Sequence, residues 1–405
     1  MRKCFKQIGG LLALFLLSPA NSYSAESLSF LSDEVHLDSL NSSNNVSIDS
    51  QRIDQLTAKA LQAITRGELS LARATLQELV SDYPTYRLGH LLFAELHAAN
   101  TSLPSSLSRS HYTQDFMELL LEASARLTHS DRLSKNTFIA DQPPGDILKL
   151  GAGLEHWIQV DLEHGTQSVF DVENGELVKR WEQYIGFGAA GFDKFQEGDL
   201  KTPLGVYRID GFRDDASLPE LYGSGALTLD YPNLADRYEN RTGSGIWLHG
   251  VPRHNRSRGP LSSEGCIIMG NDYLDTLHSQ INPIGTLVAL SSATAIRRPN
   301  VDMNALESAF VNWQSQQVNS GDSNNTTGVQ WKDVTVVVSG ASAIDGEPQN
   351  VTLYFRPSEP VESTAELTEF KALFWQRQTP GSNQWKLIGD ETQKQPLGRH
   401  RKAAL

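Results

Sequence analysis

The sequence predicts a multidomain α+β protein: an α-helical N-terminal region, a β-rich central domain and a small α+β module towards the C-terminal end. Three observations carry this expectation. Between Ile53 and about Ala99, apolar residues recur at three- and four-residue spacing. Between His156 and Ser291, short runs rich in Val, Ile, Trp and Phe are punctuated by glycine. After residue 300 a helical pattern gives way to long strand-like runs. The 405 residues leave room for several domains of roughly 100–200 residues each. A hydrophobic fraction of 39% supports a sizeable core and excludes wholesale disorder. Asp and Glu outnumber Lys and Arg by 48 to 35, with no long basic block, which argues against nucleic acid or an anionic lipid surface as partner. Two cysteines exclude a disulfide-rich scaffold and a Cys-only zinc site.

Arg2, Lys3 and Lys6 precede an apolar run from Ile8 to Leu17, and the small residues Ala20, Ser22, Ser24 and Ala25 follow. This is the layout of a secretory signal peptide over residues 1–25. The alternative is an uncleaved anchor, but the run is shorter than the ~20 residues a bilayer span needs. No other stretch is long enough to span a membrane. Removing the three basic residues of this segment takes the formal net charge from −13 to −16 and leaves Cys266 as the single cysteine. In an oxidising compartment such a thiol is either buried and inert or kept for its reactivity.

Residues 26–50, rich in Ser, Asn and Asp, read as a flexible leader. Leu56, Ala60, Leu61 and Ile64 form one helical stripe and Leu71, Ala72, Leu76, Leu79 and Val80 another. Gly67 separates them and Pro84 ends the second. A further helix is expected from about Thr113 to Thr128, within a helical region spanning 51–150. Strands are then expected at His156–Leu162, Ser168–Val172, Val178–Ile185, Gly205–Ile209, Gly245–His249 and Thr286–Ser291, with Asn174-Gly175 marking a hairpin. The central domain is bounded at 153–292. Residues 300–392 form the last module: a helix carrying Leu306, Phe310 and Trp313, a polar linker at 320–327, then strands at Trp331–Ser339, Gln349–Phe355, Glu369–Gln378 and Trp385–Ile388. Residues 393–405 read as a frayed basic tail.

The chemistry centres on Cys266. A thiol nucleophile needs a base beside it, and histidine is the usual partner. Ile246-Trp247-Leu248-His249-Gly250 reads as a strand ending in histidine, and Ser263-Glu264-Gly265-Cys266 follows after a loop at 251–262 that suits an exposed rim. Gly265 permits a strained turn and close approach of substrate. Amides near Cys266 could then meet a developing oxyanion. The spacing alone is compatible with a buried cysteine and an unrelated structural histidine. Trp247 reads as core, and His254 as a second, weaker candidate base.

His249-Gly250 followed by Ser263-Glu264-Gly265-Cys266-Ile267 resembles the signature of the L,D-transpeptidase catalytic domain, the YkuD-like family. Upstream, Gly186-Phe187-Gly188, Lys194 and Glu197-Gly198-Asp199-Leu200-Lys201-Thr202-Pro203-Leu204-Gly205-Val206-Tyr207 are similar to that family's glycine strand and Thr-Pro motif. The charged version of this motif is like the branch of murein-trimming enzymes. The resemblance covers about residues 153–292. It implies a β-rich fold and cysteine acyl transfer on peptidoglycan stem peptides, without metal or cofactor. It implies Cys266 as nucleophile, His249 as base and acid, Gly250 as the carbonyl that orients the histidine, Gly265 with Cys266 as oxyanion donors, and Ser263 as the residue that orders the turn. Two positions depart from the pattern: Glu264 stands where many members have His, and Ile268 where many have Arg or Asn. Arg253, Arg256 and Arg258 in the loop, and Lys194, are the cations that could hold substrate instead, although loop arginines are commonly a solvated rim.

The helical region resembles a tetratricopeptide-type pair, a scaffold or a surface for other envelope proteins. The last module resembles a nuclear-transport-factor-2-like domain. Together these imply a periplasmic enzyme of a Gram-negative bacterium, either an L,D-transpeptidase or, at the same site, an L,D-carboxypeptidase trimming tetrapeptide to tripeptide. A catalytically silent wall-binding scaffold is the reading from another class.

Overall fold

A computed structural model of the chain describes residues 48–101, 114–134, 146–292, 301–319, 328–344, 347–357, 367–379 and 381–396. The expected signal peptide, nearly all of the leader, Pro143-Pro144-Gly145, the 320–327 linker and residues 397–405 of the tail lie outside the described residues; residues 393–396, expected in the frayed tail, instead pair as the end of the last strand, with Gln393 buried. The chain divides into two compact units, one of residues 1–138 with 254–260, the other of 139–253 with 261–405.

The first unit contains four described helices: α1 (Ile48–Thr65), α2 (Leu69–Asp82), α3 (Arg87–Thr101) and α4 (Gln114–Ser134). Helix α1 starts inside the segment expected as leader. Leu56, Ala60, Leu61, Ala72, Leu76 and Leu79 of the expected stripes meet in one core with Leu88, Leu92 and Leu96, whereas Leu71, expected in the second stripe, is exposed in the first turn of α2 and Val80 is half-buried outside that core. Beside it lies a buried polar chain. Arg126 Nε donates to Glu122 at 2.8 Å and its Nη1 to Asp54 at 2.5 Å, while the Tyr86 hydroxyl lies 3.4 Å from Glu122. A buried carboxylate requires such partners.

Residues 254–260 pack in this helical unit, contrary to the expectation of an exposed rim. Ser257 Oγ donates to Glu122 at 2.7 Å, the Arg256 guanidinium lies 5.8 Å from the Tyr83 ring centroid, and Gly259 abuts the Glu118 backbone. None of the described helices is long and apolar enough to cross a membrane.

The second unit is built on two sheets. The larger has eight strands in the order β10-β8-β7-β6-β11-β2-β3-β4. These are β2 (His156–Asp161), β3 (Thr166–Glu173), β4 (Glu176–Tyr184), β6 (Gly205–Asp214), β7 (Gly225–Leu229), β8 (Trp247–His249), β10 (Ile267–Ile268) and β11 (Thr286–Ser291). Strands β2 and β11 run parallel, as do β8 and β10; the other pairs are antiparallel. Asn174 and Gly175 form the two-residue turn of the β3–β4 hairpin, with φ of 53° and 80°, as an Asn-Gly turn requires. Two short strands, β5 (Phe187–Gly188) and β9 (Leu261–Ser263), pair separately. Helices α5 (Leu234–Tyr238) and α6 (Asn271–Gln280) complete this part.

The second sheet is antiparallel, in the order β1-β12-β13-β14-β15. It comprises β1 (Ile147–Lys149), β12 (Thr335–Ile344), β13 (Glu347–Phe355), β14 (Leu367–Arg377) and β15 (Trp385–Pro396). Residues 147–149, expected within the helical region, therefore supply an edge strand to the C-terminal module. Trp331–Asp333 is a 3-10 turn rather than the start of a strand, because Gln330 and Asp333 form a reciprocal capping box. One face of this sheet is covered by helix α7 (Met303–Asn319), through Leu306, Phe310 and Trp313 against Val336, Leu353, Phe355 and Trp375. The opposite face packs on the eight-stranded sheet. Trp157, Val206, Leu287 and Ala289 share one core with Val337, Tyr354, Phe370 and Phe374. Arg208 joins the two sheets with charge, to Asp230 at 2.8 Å and Glu391 at 2.7 Å.

Candidate active site

The short parallel pair β8–β10 brings the two chemical residues together. Ile267 pairs with Leu248 and Ile268 with His249. Cys266 lies one residue before β10, next to Trp247, and side-chain alternation puts it on the face that carries His249. His249 is buried, flanked in register by Ala226 on β7 and Ile268 on β10. Its Nδ1 donates to the Gly250 carbonyl at 2.7 Å. A carbonyl only accepts, so Nδ1 carries the proton of this bond, which makes Nε2 the basic nitrogen of the neutral ring.

The turn bearing Cys266 is held from two sides. Thr202, fully buried, donates from Oγ1 to the Gly265 carbonyl at 2.9 Å and accepts from the Gly188 amide at 3.0 Å. The Thr-Pro segment thus ties the glycine strand to the cysteine turn. Ser263 Oγ donates to the Cys266 carbonyl at 2.6 Å and accepts the Gly265 amide at 3.0 Å. Ser263 thus bridges the turn through both bonds, at the position for which the resemblance implies an ordering role. The Gly265 amide, however, is committed to Ser263 and does not face an oxyanion; the Cys266 amide remains the candidate donor. Gly265 has a φ of 131°, and a Cβ there would lie 2.6 Å from the Lys201 carbonyl oxygen. Only glycine fits this turn.

The partly exposed Cys266 thiol donates to the Gly245 carbonyl at 3.3 Å. Burial pushes its pKa up to about 11, and Glu264 pushes in the same direction, while the Trp247 backbone amide and Lys194 pull it down. On the order of one thiol in 10⁴ is then ionised at neutral pH, so a base must take the proton as the thiol reacts. Glu264→Gln removes a charge that opposes the thiolate, so the thiol pKa falls. Iodoacetamide should alkylate Cys266 about two- to ten-fold faster at pH 8 in this variant, with a smaller difference in high salt. An unchanged or slower rate would refute the assignment.

Of the cations named from the sequence, Lys194 is buried and paired with Asp199 at 2.8 Å. Burial opposes ionisation of Asp199, but Lys194 and three backbone amides outweigh it and hold the carboxyl at about 2. Arg256 and Arg258 belong to the helical unit, as does His254. Burial lowers the pKa of Arg258. Arg253 pairs with Asp215.

Two residues of the site, Tyr222 and Asn271, are not marked by the sequence, and a third, Trp247, reads there as core. Tyr222 lies edge-on to His249 at 4.9 Å between ring centroids. Its pKa is raised by burial, and by Cys266 and Glu264 in the same direction. Trp247, expected in the core, is half-buried and lies 5.2 Å from Tyr222. Asn271, at the start of α6, accepts the Ser224 and Val251 amides on Oδ1 at 3.0 and 3.1 Å and donates to the Val251 carbonyl at 2.9 Å. Its Oδ1 would be 2.0 Å from a Cβ on Gly250. Asn271 therefore fixes the segment whose carbonyl orients His249. No local pattern marks an asparagine that binds backbone twenty residues upstream.

The profile of the YkuD L,D-transpeptidase catalytic domain matches residues 155–290. This segment is a YkuD L,D-transpeptidase catalytic domain. The match encloses His249, Cys266, Thr202 and Asn271, and excludes the four helices and the C-terminal sheet. Among solved structures, the chain is similar to the helical cell shape determining protein Pgp2 from Campylobacter jejuni, with 19% identity and a TM-score of 0.44 over 64% of this chain and 99% of that one. It is similar to Bd1075 from Bdellovibrio bacteriovorus, with 24% identity and a TM-score of 0.40 over 64% and 99%. It is also similar to an L,D-transpeptidase (Yku) from Stackebrandtia nassauensis, with 18% identity and a TM-score of 0.28 over 42% and 66%. No curated protein sequence matches the chain. Residues 155–290 thus supply a cysteine-type L,D-transpeptidase domain, and the rest of the chain lies outside the match.

Proposed function

We propose that this protein is a periplasmic L,D-transpeptidase that acts on peptidoglycan stem tetrapeptides through a thioester on Cys266. One observation supports this above the others: the YkuD domain places His249, with Nδ1 committed to Gly250, on the strand next to the Cys266 turn. His249 Nε2 takes the thiol proton as Sγ attacks the carbonyl of the third, L-centred residue. The oxyanion forms towards the Cys266 amide. His249 then returns the proton to the leaving nitrogen, the C–N bond breaks, and D-alanine departs, leaving a thioester. An acceptor amine attacks the thioester, loses a proton to His249 and forms a new amide, and the thiol is regenerated. If water attacks instead, the product is a trimmed tripeptide and the enzyme is an L,D-carboxypeptidase.

The full chain incubated with tetrapeptide muropeptides should give 3–3 cross-linked dimers. Tripeptide monomers alone would replace transfer by trimming. A carbapenem should add one equivalent to the protein by intact mass, and Cys266→Ala should abolish both adduct and turnover. Neither turnover nor adduct would favour a catalytically silent scaffold.

A further inference from the structure

Arg213 lies near the end of β6, exposed, and forms no ion pair among the described residues. Its position is fixed by register. Arg213 pairs with Ala226 on β7, and Ala226 pairs with His249 on β8. Directly paired residues share a sheet face, so Arg213 stands on the catalytic face, two strand spacings or about 10 Å from His249. The space between is lined by an aromatic wall. The Arg213 guanidinium lies 5.1 Å from the Trp247 ring centroid, Trp247 lies 5.2 Å from Tyr222, and Tyr222 lies 4.9 Å from His249.

A guanidinium seated on an indole keeps its in-plane N–H donors directed outward, in a fork that fits a carboxylate. Two nearby positions do not compete with it. Ile268, in register with His249, is buried and apolar, and Lys194 is already paired. Two of the three free carboxylates of a diaminopimelate tetrapeptide donor belong to the residues on either side of the scissile bond, at different distances from it. That of the terminal D-alanine is next to it and falls beside His249. That on the far end of the third residue's side chain extends away from it, across the aromatic wall.

We propose that Arg213, seated on Trp247 beside Tyr222, binds the distal side-chain carboxylate of the third residue of the acyl-donor stem. The assignment rests on the stem-peptide reading given above and adds to it the residue that selects a free acid at that position. Trp247 and Tyr222 carry the aliphatic part of the same side chain, and Arg213 reads its end.

The test is binding to the full chain carrying Cys266→Ala, measured by calorimetry so that turnover does not intrude. Three probes are used: a diaminopimelate tetrapeptide, the same peptide amidated on the distal carboxylate, and the same peptide amidated on the terminal D-alanine. Adding Arg213→Gln should weaken the free acid by about 10–100-fold, the range for one hydrogen-bonded charge. It should leave the distal amide unchanged, because each change removes the same contact. Equal affinity of the two proteins for the free acid overturns the assignment. So does a loss that vanishes with the terminal amide rather than the distal one, or failure of the parent to bind any stem. Turnover by the unsubstituted enzyme is scored separately: binding with the expected pattern but no turnover strikes the catalytic reading and leaves Arg213 standing. Arg213 is exposed, so its replacement leaves the melting temperature within a few degrees of the parent.

Discussion

Replacing His249 by Gln is expected to lower acyl transfer by about 10²–10⁴-fold, the range for loss of a general base, with the fold intact. The reason lies in the resting state of the thiol. With a pKa near 11, Cys266 is not held as a preformed thiolate. The proton must leave during attack, and in the proposed mechanism the imidazole, with its Nδ1 on the Gly250 carbonyl, takes it. Without it, the reaction depends on the small ionised fraction. This gives a signature beyond the size of the loss. The unsubstituted enzyme should level off once the imidazole is neutral. The variant's residual rate should keep rising about tenfold per pH unit up to the thiol pKa. Steady-state turnover of tetrapeptide between pH 6 and 10 measures both. A variant with wild-type turnover, or one whose rate levels off as before, would remove His249 from the role. The sign also bears on Glu264, whose charge makes the proton harder to remove.

Parts of this site are legible in the sequence because they are local. Ser263 to Cys266 is one turn, His249-Gly250 is one strand end, and Asn174-Gly175 is one hairpin whose dihedral angles only those residue types adopt readily. The helical stripes of α1 and α2 are equally local, and most of their residues meet in a core, Leu71 in the first turn of α2 being the one left exposed. What the sequence does not show is whatever depends on register or distant packing. Arg213 comes to the catalytic face because β7 lies between β6 and β8, and β7 is five residues of ordinary composition beginning with Gly225, with little pattern to read. Helix α6 is ten residues long, too short for a clear period, so Asn271 escaped notice. The loop at 254–260 has the composition of an exposed rim, yet Ser257 finds its partner in Glu122, 135 positions away. Trp331 reads as a β-former, but the capping box of Gln330 and Asp333 turns the chain first.

The second large effect concerns stability. Phe374→Ala, in the C-terminal sheet, should cost about 3–5 kcal/mol, as for other fully buried aromatic side chains, and should destabilise the catalytic sheet as well. Phe374 is 1% exposed and shares its core with Trp157, Val206, Leu287 and Ala289 of the eight-stranded sheet. Those four residues have their apolar side chains covered by the C-terminal sheet. If that sheet loosened alone, the indole of Trp157, now wholly buried, would lose its cover; at ~25 cal/mol per Å² such exposure opposes independent opening. The Arg208 contacts to Asp230 and Glu391 couple the sheets further, because separating them would leave a buried guanidinium short of a partner. One cooperative transition is therefore expected for the whole second unit. Cys266 reports on it from the far end. Its thiol reacts slowly when folded, with a pKa near 11, and faster in an unfolded chain, where the ordinary value of ~8.5 returns. In a urea series, pulse alkylation of Cys266 and tryptophan fluorescence should shift to the same lower midpoint in Phe374→Ala. A fluorescence shift with the alkylation midpoint unmoved would mean that the two sheets are stable separately.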